Sequence, residues 1–305
     1  MLSYIIRRLI IIIPMALLVV TLTWGLIRMA PGSFYSGEKN LPPAIEENIK
    51  RKYGLDKPVH EQYLIMMGNI LRFDFGESLK YEGQTVNDII KRHFPYSAII
   101  GILAYILALI IGLAAGIIAA LRQNSAFDYG SMSLAMLGLS VPNFVLGPIL
   151  VLIFSLWLFW LPPGRWGGIS GIILPVITLS AIYMAYIARL TRAGMLEIMR
   201  SDYIRTARAK GLNEKTVLLR HALRGGLIPV ISFTGPALAH LLAGTVVVER
   251  VFAIPGLGNI FIQSVLNRDE PLILGIVAFL SILIMVFNLL VDISYAFLDP
   301  RIRYE

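Results

Sequence analysis

The sequence predicts an all-α integral membrane protein with six transmembrane helices and a small external domain after the first helix. Three observations carry that expectation. Of 305 residues, 57% are apolar and only 15% charged, with a mean hydropathy of +0.73, a composition well outside that of a soluble domain. Six stretches, near 9–29, 97–121, 132–160, 169–189, 227–248 and 272–297, are long and apolar enough to cross a membrane. A hydrocarbon core of roughly 30 Å takes about 20 helical residues. The basic residues of the short loops fall mostly on one side of those spans, as the positive-inside bias requires, long exported segments being exempt from it. Cysteine is absent, which excludes disulfides, thiolate metal sites and a cysteine nucleophile.

The first region, 1–30, holds the N-terminus and the first span. It follows Arg7 and Arg8, exceeds the apolar core of a signal peptide, and leaves through "RMAPGSF" without a small-x-small cleavage site, so it reads as a retained anchor. With the N-terminus inside, Arg122, the cluster from Arg189 to Arg224, Arg301 and Arg303 fall on the cytoplasmic side. The short outer loops receive only Arg165, Arg250 and Arg268, so both termini, including the tail 301–305, are expected in the cytoplasm.

The segment 31–95 has soluble-domain chemistry and is expected to form an external cap. "PPAIEENIKRKYGLDKP" reads as a short helix with prolines at its entry and Gly54 past its end. From Pro58, Val59, Tyr63, Met66, Met67 and Ile70 fall along one face of an amphipathic helix. Thr85 and Asp88 then stand at capping-box spacing.

The region 96–300 carries the other five spans, a basic loop at 190–226 and a broken outer segment at 249–271. Pro142, Gly147 and Pro148 permit kinks and close helix contacts in the third span. The basic loop is punctuated as two helices. Ser201 caps the first, Asp202 sits at its positive end, Arg208 and Lys210 at its negative end, and Gly211 takes the left-handed stop. Asn213 caps the second, Glu214 lies in its first turn, and Gly225-Gly226 ends it. Tyr203, Ile204 and Ala207 share one face of the first helix, with Arg205 and Arg208 pointing elsewhere. Read from the residues alone, this loop is either a docking helix for a partner protein, a helix lying on anionic lipid, or a plain product of the positive-inside bias.

Catalytic and ion-coupling signatures are sparse. "GLNEKT" lacks the second glycine of a phosphate loop and follows a helix instead of a strand. Ionisable or polar candidates at membrane depth are His240, Asn288 and Asp292, with His240 and Asn143 as possible cavity residues. No metal-spaced histidines, paired carboxylates or nucleophile–histidine pattern appears. The outer segment "VERVFAIPGLGNIFIQSVLNRDEP" is too apolar to float in water and too broken to span, so it should fold back as a re-entrant loop.

"DYIRTARAKGL" followed by "LLRHALRGGLIPV" resembles the cytoplasmic coupling loop of ABC-transporter permeases of the peptide/nickel importer branch. "MAPGS", "YGLDKPVHEQYL", "FDFGESL", "IPGLGNIF", "LNRDEPLI" and "LDPRIR" extend the resemblance over nearly the whole chain. Gly211 matches the family's glycine, whereas Arg205-Thr206-Ala207 stands where the wider family has Glu-Ala-Ala.

The resemblance implies a type I ABC importer permease fold in the inner membrane and a non-catalytic subunit. Asp202, Tyr203, Arg205, Thr206, Ala207, Arg208, Ala209, Lys210 and Gly211 would meet the ATPase. Pro255, Gly256, Gly258, Asn267, Arg268 and Asp269 would form the outer gate and binding-protein dock. The implied partners are a homologous second permease, two cytoplasmic ATPases that bind the ATP and magnesium, an external peptide-binding protein, peptide substrate and membrane lipid. Nucleic acid is not among them, and no cofactor is expected on this chain. Within the family a dipeptide or nickel permease is the alternative to an oligopeptide permease. A stand-alone secondary carrier or channel is the alternative class.

Overall fold

A computed structural model of the chain describes residues 2–30, 47, 54, 56–242 and 246–298. Within them every regular element is helical. Helix α1 covers Leu2–Met29, α2 Val59–Leu71, α3 Val86–Leu121, α4 Ala126–Ser140 and α5 Asn143–Trp157, whose last six residues form a π-helical turn. Helix α6 covers Ile169–Met199, α7 Asp202–Ala209, α8 Glu214–Gly226, α9 Ile228–Leu242, α10 Val246–Val251, α11 Leu257–Leu266 and α12 Glu270–Leu298. The expected short helix ahead of Gly54 lies, apart from residue 47, outside the described residues, as does the tail 301–305.

Four helices are unbroken and apolar over spanning length: Ile6–Met29, Val86–Leu121, Ile169–Met199 and Glu270–Val291. The remaining two spans are bent pairs. The third, expected over 132–160 with kinks permitted at Pro142, Gly147 and Pro148, is bent: α4 and α5 meet at 108°. The cause is Pro142, which pushes Val141 out of the helical region (φ −91, ψ 114) and cannot donate a backbone hydrogen bond itself. Of the fifth, expected over 227–248, the described residues as far as Leu242 form α9, which meets α8 across a 53° bend.

The described chain divides into two compact units. One contains residues 1–95 and 259–286, the other 96–258 and 287–303. In the first, α2 packs with α1 and the start of α12 around Val20, Ile70, Leu274 and Ala278, flanked by Trp24, Met66 and Phe75. Thr21 and Tyr63 share a hydrogen bond of 2.8 Å between their hydroxyls, placing the polar edge of α2 on α1. Thr85 caps α3 as its spacing predicts: the Asp88 amide donates to Thr85 Oγ1 at 3.1 Å, and that hydroxyl donates to the Asp88 carboxylate at 2.7 Å. Gly54 has φ +65, a left-handed backbone that glycine adopts freely.

In the second unit α6 is the central post, touching α4, α5, α8, α9 and α10. Its buried Leu174 and Leu179 join Ile100, Leu241, Phe252 and Ile254 in one cluster. Lipid tails are as apolar as leucine, so membrane helices gain little by burying apolar surface against each other and rely on close packing instead. Helix α3 uses glycines for this. A Cβ on Gly116 would come within 2.5 Å of the Ala188 carbonyl oxygen and of Thr191 Cβ, and one on Gly101 within 2.5 Å of the Leu241 carbonyl oxygen. We predict that Gly116→Ala destabilises the protein by about 1–3 kcal/mol through overpacking. Gly130→Ala, at an exposed position with nothing within 4 Å, should leave stability unchanged or slightly raised in the same thermal unfolding assay.

Candidate functional site

The basic loop folds as its sequence signals require, with one exception. Gly211 adopts φ +77 after α7, and the Asn213 carboxamide oxygen accepts from the Thr216 amide at 2.8 Å at the start of α8, which closes at Gly226. Ser201 does occupy the cap position of α7, but its hydroxyl turns back and donates to the Ile198 carbonyl at 2.6 Å, so it makes no cap bond. Asp202 takes up that end electrostatically and pairs with Arg205 at 3.3 Å. Arg208 grips Glu214 with both arms of its guanidinium, at 2.8 and 3.2 Å, tying the end of α7 to the start of α8.

The apolar face of α7 is committed within the chain. Ile204 and Ala207 are buried with Ala120, Met195, Val217 and Ala222. Ala207 therefore is not available to a partner, which corrects its expected place among the contact residues. The half-exposed Tyr203 leans on the same support, its hydroxyl donating to the His221 carbonyl at 3.4 Å. The face left outward is polar: Asp202, Arg205, Thr206, Arg208, Ala209, Lys210 and Gly211 are all exposed. Beneath it α6 and α8 touch backbone to backbone, since a Cβ on Gly194 would run into the Gly226 carbonyl oxygen and one on Gly226 would lie 3.1 Å from Met195 Cα. The result is an eight-residue helix seated firmly on the end of the long α6.

One pair of residues escaped the sequence reading. Asp128 in the first turn of α4 is buried, and its carboxylate accepts from Arg192 Nε at 2.6 Å and Arg192 Nη2 at 2.7 Å, with the Asn124 amide at 3.0 Å. This two-armed contact links the start of the α4–α5 pair to the stretch of α6 that leads into α7. The only local sign was the Ser125–Asp128 spacing, where the Asp128 amide donates to Ser125 Oγ at 3.3 Å.

The broken segment that begins at Glu249 is organised by a buried carboxylate. Glu249, at 3% exposure, accepts from the Ser97 hydroxyl at 2.7 Å, and Ser97 Oγ accepts in turn from the Leu257 amide at 2.8 Å. Gly256 lies so close that an added Cβ would collide with the Glu249 carboxyl group, and a Cβ on Gly258 would approach Val246 Cα to 2.8 Å. Pro255 is half-buried between them. Asn267, Arg268 and Asp269 belong to the other compact unit. There Asp269 is fully buried, its carboxylate accepting from the Ser78 hydroxyl and from the amides of Leu79 at 3.1 Å and Lys80 at 3.3 Å. Arg268 is exposed, with φ +55.

The structure does not gather His240 and Asn143 into one site: His240 is exposed in the last turn of α9, and Asn143 is half-buried at the first position of α5. Asn288 is half-buried within α12, and the side chain of Asp292 lies outside the described residues.

Residues 112–304 match the family described as "Binding-protein-dependent transport system inner membrane component", and residues 1–100 match its N-terminal counterpart. The chain belongs to this family. It is an ABC importer permease subunit, a multi-pass protein of the inner membrane. Among its relatives, the oligopeptide transport system permease proteins OppB of Haemophilus influenzae and of Escherichia coli K12 are each 44% identical over the full length of both chains. The dipeptide transport system permease protein DppB of Bacillus subtilis is 42% identical over 99% of this chain and 98% of its own. The ABC importer permease fold recurs in the MetNI methionine ABC transporter (TM-score 0.56, 16% identity, covering 69% of this chain and 96% of that one). An amino acid ABC transporter matches at TM-score 0.50 and 19% identity, over 68% and 93% of the two chains.

Two predictions test the internal ties of this permease. Asp128→Ala should cost about 3 kcal/mol, the low end for a broken buried pair because Arg192 keeps 27% of its side chain exposed. The double replacement Asp128→Leu with Arg192→Met should recover most of that in denaturant unfolding. Gly256→Ala should displace Glu249 and raise hydrogen exchange across 249–258, leaving exchange in α7 unchanged.

Proposed function

We propose that this permease forms half of a translocation pathway that imports oligopeptides, driven by ATP hydrolysis on partner subunits. The observation that carries the substrate is the 44% identity over full length to chains named as oligopeptide permeases. Dipeptides are the second reading, favoured by the 42% identity to DppB. The partners in this reading are a homologous permease, two cytoplasmic ATPases that hold ATP and magnesium, and an external peptide-binding protein. The chain itself carries no catalytic step, and the distribution of arginines supports cytoplasmic termini.

Helix α7 is the coupling element. Its outward residues Asp202, Arg205, Thr206, Arg208, Ala209, Lys210 and Gly211 meet the ATPase, and its buried face transfers the motion into α6 through Met195. From α6 the Asp128–Arg192 contact carries it to the bent α4–α5 pair. Closure of the ATPases on ATP and engagement of the loaded binding protein then favour the same outward-facing state, and each must promote the other. The turn held by Glu249, Pro255, Gly256 and Gly258 serves as the outer gate. The exposed Arg268 and half-buried Asn267 offer contacts to the binding protein, while the buried Asp269 supports them from beneath.

The deciding measurement is ATP hydrolysis by the reconstituted transporter with its binding protein loaded in turn with a dipeptide, a longer oligopeptide or nickel. Stimulation by the longer peptide is expected; stimulation by dipeptide or nickel alone would move the permease to a sister system. In the assembled transporter a cysteine at Ala209 should cross-link to the ATPase and one at the buried Ala207 should not. Gly211→Val, forced into a left-handed conformation at a cost of about 1–3 kcal/mol, should lose coupled transport while the protein still reaches the membrane.

A further inference from the structure

Between α5 and α6 the chain presents an aromatic bracket. Trp157, Phe159 and Trp160 are 68%, 82% and 70% exposed. Phe159 reaches that exposure from a left-handed backbone, φ +54, a conformation that bulky residues rarely adopt. The surrounding backbone is held. The amides of Trp160 and Leu161 donate to the Phe154 carbonyl at 2.9 and 3.2 Å, and the Arg165 amide donates to the Phe252 carbonyl at 2.8 Å. Gly164 lies against that same carbonyl, where a Cβ would come within 2.6 Å, and the Trp166 ring stands edge-on to Tyr96 at 4.7 Å. One side of the loop is thus fastened to the helix core, and the Trp160 ring lies 5.9 Å from that of Phe154, while all three rings keep most of their surface exposed.

We propose that this bracket is a lipid-interface anchor, with Trp157, Phe159 and Trp160 seated at the boundary between headgroups and acyl chains. Water is a poor environment for three adjacent, mostly exposed rings. The hydrocarbon core is excluded as well, because 158–168 has no regular helix to satisfy its backbone groups. The headgroup level accepts both, and indole rings favour it. The rings continue the outward surface of the apolar α5, where Phe144, Ile149 and Leu156 are also exposed. Arg165 is the lone charged residue across 152–169, so the surface offers nothing to a charged protein partner. The anchor holds one end of the α5–α6 connection at fixed depth. It rests on the chain crossing a membrane and not on the identity of its cargo.

The chain lacks cysteine, so nitroxide labels can be placed singly at Trp157→Cys, Phe159→Cys and Trp160→Cys, with Lys215→Cys as a water-exposed control, in the assembled transporter in lipid bilayers. Collision with oxygen, which enters lipid, is compared with collision with a water-soluble nickel chelate. A several-fold higher oxygen-to-nickel ratio than at Lys215, at a depth level with the headgroups, is expected at all three positions. A ratio equal to that at Lys215 would overturn the proposal in favour of a water-exposed loop. Protection from both probes would overturn it in favour of a covering protein subunit. Pro163→Cys, which leaves all three rings in place, reads the same depth if a ring deletion impairs assembly.

Discussion

A backbone amide in hydrocarbon has no water to bond, and this constraint governs the permease more than any single contact. Each apolar stretch must close its own hydrogen bonds as a helix, and wherever the helix breaks, the freed groups must be covered or brought to polar surroundings. At Val141–Pro142 the break turns the chain by 108°, and the Val141 amide still bonds the Leu137 carbonyl at 3.0 Å. After Val251 the outer turn keeps its polar groups by folding around Glu249, with the Ile254 amide on the Glu249 carbonyl at 2.8 Å and the Leu257 amide on Ser97.

Two kinds of contact then fix how the helices meet. Glycines at positions 101, 112 and 116 of α3 let backbone approach backbone, and Gly194 with Gly226 does the same beneath the basic loop. Buried carboxylates do the work that long apolar side chains cannot, because a charge in a low-dielectric site tolerates only the geometry that satisfies it. Asp128 holds the start of α4 to α6, Glu249 holds the outer turn to α3, and Asp269 gathers the hydroxyl of Ser78 and the two amides after it. Packing at glycines sets distance, and the carboxylates set register.

The local signals in the sequence were legible because they act within one helical turn. Gly211 at the end of α7, Asn213 as a cap and Thr85 as a cap for the Asp88 amide stand where their types and spacing place them. Ser201 was misread for a reason of the same scale: its hydroxyl had a carbonyl of the preceding helix in reach, which a spacing rule does not weigh. Ala207 was misread because helical periodicity names a shared face without naming what that face meets. The face of Ile204 and Ala207 meets Met195, Val217 and Ala222 of this chain.

The sequence by itself determined the class of the molecule: a helical membrane protein, its spanning stretches, the bias of its charges, the two-helix basic loop and the family its motifs resemble. These follow from composition and from interactions a few residues long. Only the tertiary structure decided which carboxylate meets which partner. Asp128 and Arg192 are 64 residues apart, Ser97 and Glu249 152, and Ser78 and Asp269 191. Hydrophobic periodicity orients a helix about its own axis but carries no term for the neighbour it will touch, so those pairings, and the 108° angle that α4 and α5 take at the kink Pro142 permits, emerge only when the helices are packed.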